Sequence, residues 1–138
     1  IAGYPGETRE DHAEMLDWVR ATRFDRLGVF QYSHEENTHA YTLADDVSAS
    51  EKRRRAEAVM AAQQPISLEI NAAKVGRVLD VLVDRKEGGH FIARTEHDSP
   101  EVDNEVLIDA KKHYLRVGDF ARVRINSAEE YDLHAEPA

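Results

Sequence analysis

The chain has 138 residues, room for one ordinary domain or two small ones, and its 27 acidic against 18 basic side chains give a formal charge of −9. A polyanion is repelled by another polyanion, so plain binding to a nucleic-acid backbone is a poor default. Cysteine is absent, so this chain cannot itself supply a disulfide, a thiolate zinc site, a cysteine nucleophile or cysteine ligands for an iron–sulfur cluster.

The opening Ile1-Ala2-Gly3-Tyr4-Pro5-Gly6-Glu7-Thr8 reads as a strand end, a Gly/Pro turn and a helix start. It begins at Ile1 without Met, in what reads as the tail of a buried strand, so a piece of a longer protein is expected. Thr8 is placed to cap a helix, its hydroxyl taking an orphan amide of the first turn, with Asp11 three residues on to complete a capping box. Glu10, Asp11 and Glu14 favour that end through the helix dipole. Met15, Trp18, Val19 and Thr22 recur at helical spacing and predict one apolar face. Phe24 to Tyr32 then reads as a buried strand. Strand, turn, helix and strand in this order make a βαβ unit, so the first half is expected to be a piece of a parallel α/β barrel or sheet. A polar loop spans Ser33 to Val47. Ser48 and Glu51 form a second capping box, and a long helix is predicted with Ala56, Val59, Met60, Gln63, Ile66 and Ile70 on one face. Pro65 interrupts that rhythm; a proline there loses a backbone hydrogen bond at a cost of roughly 3 kcal/mol, so a kink or break is expected near a domain boundary.

Beyond Asn71 the pattern turns β-like. Lys74–Asp84 is rich in Val and Leu, and Phe91–Thr95 and Val106–Ile108 are short β-like runs. Phe120–Ser127 alternates, with Ala121, Val123 and Ile125 on one face and Arg122, Arg124 and Asn126 on the other. Gly88-Gly89 and Gly118-Asp119 punctuate these runs, and the set predicts a small closed β-barrel of the OB type. No apolar run reaches membrane-spanning length, and no leader-like segment precedes the first turn.

Four constellations could carry chemistry. Tyr4-Pro5-Gly6 lies where a strand hands over to a helix, the catalytic face of parallel α/β folds, although an ordinary βα turn reads the same way. His34 and His39 are spaced i,i+5 rather than the i,i+4 that places two rings on one helix face, which points to solvent-exposed histidines. Lys52-Arg53-Arg54-Arg55 spans a full helical turn and reads as a solvated surface paired with nearby acids. Glu96, Asp98, Glu101, Asp103, Glu105 and Asp109 crowd the middle of the barrel sequence around Ser99-Pro100. They read either as a solvated acidic surface, some of it projecting freely, or as a docking site for a basic protein.

Taken together, these segments resemble the C-terminal part of the RimO-type radical-SAM methylthiotransferases. The first half carries the resemblance in Ile1–Thr8, in Arg23-Phe24-Asp25-Arg26-Leu27-Gly28-Val29-Phe30, in Tyr32-Ser33-His34-Glu35-Glu36-Asn37-Thr38 and in Gln63-Gln64-Pro65-Ile66-Ser67-Leu68-Glu69. In the second half, Val75-Gly76, Asp98-Ser99-Pro100-Glu101-Val102-Asp103, Gly118-Asp119-Phe120 and Glu130-Tyr131-Asp132-Leu133 resemble a TRAM domain. Pro65, where relatives continue the helix, and His34, where many have proline, depart from the pattern. The resemblance implies an α+β chain in two parts. Residues 1–67 would be the C-terminal remnant of a radical-SAM α/β (partial TIM-type) barrel, and residues 68–138 an OB-like antiparallel β-barrel, the TRAM domain. It also implies a cytoplasmic parent enzyme that methylthiolates the β-carbon of an aspartate in small-subunit ribosomal protein twelve. That parent would use S-adenosylmethionine and two 4Fe-4S clusters, one cleaving the cofactor to a 5′-deoxyadenosyl radical and the other involved in sulfur delivery. The chain lacks the cluster cysteines, so on its own it is expected to be inactive, with no cofactor bound and no catalytic or metal-binding residue of its own. Gly3, Pro5, Gly6, Phe30 and Tyr32 would face the adenosyl part of the cofactor, and Asp98, Glu101, Asp103 and Glu105 would dock the protein substrate.

Charge discriminates among the alternatives. Residues 66–138 hold 15 acids and 10 bases, whereas an RNA-binding barrel offers arginines and lysines to phosphates. An acidic barrel suits a basic protein substrate. A MiaB-type tRNA methylthiotransferase and a non-enzymatic RNA-binding TRAM module are therefore disfavoured. The module would have only Phe91, Phe120, Tyr114 and scattered arginines for bases and phosphates.

Overall fold

The computed structural model describes residues 1–138, which divide into two compact units, 1–66 and 67–138. In the first unit, α1 (Arg9–Thr22) starts where the cap predicts: the Thr8 hydroxyl accepts from the Asp11 N–H while the Asp11 carboxylate accepts from the Thr8 N–H at 2.8 Å. Arg23, in the left-handed conformation, ends it, its N–H returning to the Val19 carbonyl. The buried face of α1 is narrower than its apolar pattern. Val19 and His12 are buried, whereas Trp18 is exposed and lies edge-on to Phe24 at 5.0 Å between ring centroids.

The strand expected over Phe24–Tyr32 does not form. The segment bends at Asp25-Arg26 and finds one partner residue, through an isolated parallel bridge between Ala2 and Gln31. Two 2.8 Å hydrogen bonds hold that bridge, from the Ala2 N–H to the Phe30 carbonyl and from the Tyr32 N–H to the Ala2 carbonyl. The βαβ order thus survives as a single parallel contact, because a ladder needs a partner of equal length. A 3-10 turn (His39–Thr42), capped by Thr38, lies within the polar loop.

Helix α2 (Ala49–Ala72) is capped by the Ser48 hydroxyl, which accepts from the Glu51 N–H at 3.2 Å. The expected break at Pro65 is absent: the helix runs through it, and the division between the units falls one residue later. Its buried stripe in the first unit is Lys52, Arg55, Ala56, Val59, Gln63 and Ile66. The predicted 3–4 rhythm therefore extends upstream into the basic cluster. Gln63 anchors the start of the Phe24–Tyr32 segment, its side-chain amide donating to the Phe24 carbonyl at 2.6 Å.

The second unit is a closed five-stranded barrel in the order β1-β2-β3-β5-β4, formed by β1 (Val78–Glu87), β2 (His90–Thr95), β3 (Val106–Asp109), β4 (Phe120–Ala128) and β5 (Leu133–Pro137). The OB-like expectation holds with one correction. The barrel closes through a parallel β3–β5 pair, so it is not wholly antiparallel. β1 pairs with β4 along Val78–Leu82 and with β2 from Val81 onward, and a bulge between Val83 and Arg85 bends it from one neighbour to the other. Gly88 and Gly89 both have positive φ, as a two-residue hairpin turn requires. Alternation sends Val81, Val83, Phe91, Ile108, Val123, Ile125 and Leu133 inward to one core.

Candidate functional site

Two regions gather the residues singled out in the sequence, one in each unit. In the first unit, Gly3 (φ +77°) and Gly6 (φ +83°) give the turn a left-handed backbone that side chains resist. Its amides are already engaged, the Gly3 N–H donating to the Glu7 carboxylate at 3.0 Å and the Gly6 N–H to Asp46 at 2.8 Å. The two glycines differ in their surroundings. A Cβ at Gly3 would lie 2.4 Å from Lys52 Cγ, whereas one at Gly6 would meet nothing within 4 Å. The turn is thus backed by α2 at Gly3 and open at Gly6. It offers a ligand a bare Cα face more than N–H donors.

Pro5 is buried within the turn, and Tyr32 is buried beside it, its ring 5.4 Å edge-on from Tyr4. The Tyr32 hydroxyl bonds His34 Nδ1 at 3.1 Å, and His34 in turn packs on Tyr41 at 4.5 Å. Burial pushes the Tyr32 phenol up, reinforced by the negative charge of Asp45, so it is a neutral hydroxyl across the physiological range. Phe30, the remaining residue of the expected set, is 78% exposed. Tyr4 and Phe30 are exposed and the backbone at Gly6 is open, surfaces of the kind on which an aromatic base can pack.

Sequence reasoning missed the residues behind the turn. Lys52 and Arg55, expected on a solvated surface, are buried, although they do pair with acids as that reading held. The available signal was the helical rhythm of Ala56, Val59 and Gln63, which continues back through both. Glu51 binds Arg54 at 2.7 Å and Arg55 at 2.9 Å, and those contacts hold its carboxyl down at about 2.

In the second unit, the acidic loop is fastened by its own carboxylates. Asp98 is a correction to the expectation of a freely projecting side chain: it is 5% exposed and accepts from the Thr95 hydroxyl. Asp103 accepts from the Ser99 N–H at 2.8 Å, and Glu105 pairs with Arg85 at 2.7 Å. Asp109 is turned onto the Lys111 N–H, which lowers its pKa. Glu96 and Glu101 do project, with Val102 exposed beside them. Glu101 itself sits at φ +63°, uncommon for a residue with a side chain.

A separate groove of about 860 Å³ opens on the barrel beside Lys74, Arg77, Leu82, Arg94, His97 and the exposed Phe120, with Asp80 and Glu96 also in its wall. His34 and His39 are exposed, and no group of three or more His, Asp or Glu side chains is arranged to hold a metal ion. With no cysteine either, this chain offers no ligand set for an iron–sulfur cluster.

Residues 75–137 match the family model described as the TRAM domain. The whole chain is also similar to proteins named ribosomal protein uS12 methylthiotransferase RimO. The one from Christiangramia forsetii is 56% identical over 137 residues, covering 99% of this chain and 30% of the relative. That from Flavobacterium johnsoniae is 55% identical over 138 residues, covering 100% and 32%, and that from Cytophaga hutchinsonii 55% over 136 residues, covering 99% and 31%. The chain therefore spans about three-tenths of the length of the curated relatives it matches. It belongs to the RimO methylthiotransferase family and corresponds to the C-terminal part of its members, TRAM domain included.

Proposed function

We propose that this chain serves a radical-SAM methylthiotransferase that modifies the β-carbon of an aspartate in ribosomal protein uS12, in the cytoplasm. Residues 1–67 would contribute the end of the radical-SAM barrel and residues 68–138 the TRAM domain. The observation that carries the reading is identity of more than half of the residues, along the full chain, with relatives named ribosomal protein uS12 methylthiotransferases. In this reading the open side of the turn at Gly6, with Gly3, Pro5, Phe30 and Tyr32, faces S-adenosylmethionine, which supplies the methyl and radical chemistry when bound. Iron–sulfur clusters do not fit the residues of this chain, and their ligands belong elsewhere in the whole protein; the chain alone is inactive.

The TRAM domain docks the protein substrate through its acidic loop. A protein that packs against ribosomal RNA is cationic, and field complementarity steers it to carboxylates. In this reading the acids divide into two roles. Asp98, Asp103 and Glu105 hold its shape, and Glu101, joined by Glu96, meets the partner.

One observation favours RNA as a second reading for the same unit. The groove beside Arg77 and Arg94 carries Phe120, 80% exposed, as a stacking platform. A calorimetric titration of the chain at near-physiological salt, with uS12 and with an unmodified transfer RNA, separates the two. Saturable uS12 binding that weakens about three- to tenfold on combining Glu96→Gln with Glu101→Gln supports the docking role. Tight RNA binding without a response to uS12 moves the assignment to the RNA reading.

A further inference from the structure

Arg55 and Lys52 lie one helical turn apart on the buried face of α2, and both act on the same short turn. Arg55 Nη1 donates to the Glu7 carbonyl at 2.8 Å and to the Glu7 carboxylate at 2.6 Å, while its Nε donates to Glu51 at 2.9 Å. The other oxygen of the Glu7 carboxylate accepts the Gly3 N–H. Lys52 lays its aliphatic stem against Gly3, where no Cβ would fit, and its ammonium is held by Asp45 at 2.6 Å with the Tyr32 ring 4.9 Å away.

Stability alone does not account for this choice. Desolvating a cation costs several kcal/mol, and well-packed apolar side chains of similar volume commonly do as well as a buried ion pair. What apolar residues cannot supply is direction. The guanidinium fixes the main chain and the side chain of Glu7 together, and through Glu7 the first amide of a turn whose two glycines have wide conformational freedom. We propose that Arg55, acting through Glu7 with Lys52 behind Gly3, is the positioning device that presets the Gly3–Gly6 turn to receive S-adenosylmethionine. This rests on the reading of that turn as a cofactor contact. Loss of the clamp leaves the cofactor to order the turn on binding. The penalty therefore falls on affinity and not on the rate of the bound complex.

The test uses the whole protein that contains this chain, with cofactor affinity measured by equilibrium dialysis and turnover measured at saturating cofactor. Arg55→Lys keeps the buried charge but loses the fork. It is expected to raise the Kd for S-adenosylmethionine about tenfold, the scale of one charge-assisted hydrogen bond, with kcat within about twofold of the parent. Glu7→Gln keeps the side-chain shape and is expected to do the same; it decides the matter if Arg55→Lys does not fold by circular dichroism. Gly6→Ala perturbs the turn directly on its open side and is also expected to weaken binding. If Gly6→Ala weakens binding while the clamp variants bind as the parent does, the positioning role is overturned and the cofactor reading stands. Unchanged affinity in all three overturns the cofactor reading itself. A lowered melting temperature with unchanged affinity in the clamp variants marks Arg55 as a structural residue and overturns the proposal.

Discussion

His12 is 4% exposed, and neither ring nitrogen has a hydrogen-bond partner. Burial pushes its pKa below the usual histidine value; Arg55 and Arg54 add to that, while Glu7 and Glu51 oppose it. The folded chain therefore takes up a proton less readily than the unfolded chain, so the stability that neutral His12 permits is complete above about pH 6.5 and lost as pH falls below it. The thermal midpoint is expected to drop between pH 7 and pH 5, followed by fluorescence of Trp18, the chain's one tryptophan, which lies on the same helix. His12→Leu should flatten that limb; a slope that survives the substitution rules His12 out as its source. Glu51 acts in a lower window. Its carboxyl is held down at about 2, so its contribution is present above the unfolded value near 4.5 and is lost as pH falls toward 2. At this scale the sequence was readable where a residue acts on its near neighbours, as in the capping of α1 by Thr8 and Asp11. It was opaque where the partner is distant: Arg55 and Glu7 are 48 positions apart, and no spacing rule connects them.

The elements show the same division. β4 was legible because one face is core and the other is solvent, so Val123 and Ile125 alternate with arginines. β5 went unseen: Leu133–Pro137 has two buried residues, Leu133 and Ala135, too few to establish a period, and its place is set by pairing with β3 and β4. Phe24–Tyr32 erred in the opposite direction. Its composition is that of a strand, but composition does not supply a neighbour. In α2 the local penalty at Pro65 is outweighed by its context, with Gln63 and Ile66 buried on either side of it. That penalty remains in the folded state, since residue 65 has no N–H to return to the preceding turn. Pro65→Ala is therefore expected to raise stability to urea by about 1–3 kcal/mol, the gain in the helix being partly offset by a more flexible unfolded chain. An unchanged or lower midpoint means that the surrounding backbone has already adapted to proline.

For the whole molecule, the question is whether the barrel depends on the rest of the chain. Three features argue that residues 67–138 fold alone. The strand order closes on itself, so no edge awaits a partner. The core from Val81 to Ala135 is drawn entirely from this unit. The loops are fastened internally, by Asp98 onto Thr95 and by Asn71, whose buried amide donates to the carbonyls of Glu129 at 3.0 Å and Glu130 at 3.2 Å. Asn71 belongs to the last turn of α2, so a cut after Ile66 keeps it and a cut after Ala72 loses it. Residues 67–138 are expected to show a cooperative urea transition and slow amide exchange at Val81, Ile108 and Val123. The same fragment shortened to 73–138 should be less stable by about 1–3 kcal/mol, the cost of losing the two hydrogen bonds that the Asn71 amide donates. Non-cooperative melting of residues 67–138 would show instead that the barrel draws stability from residues 1–66, as a unit near the lower size limit for an independent core can do. A cooperative transition makes the acidic loop accessible to partner titration in isolation, because the bonds of Asp98 with Thr95, Asp103 with Ser99 and Glu105 with Arg85 all lie within the fragment.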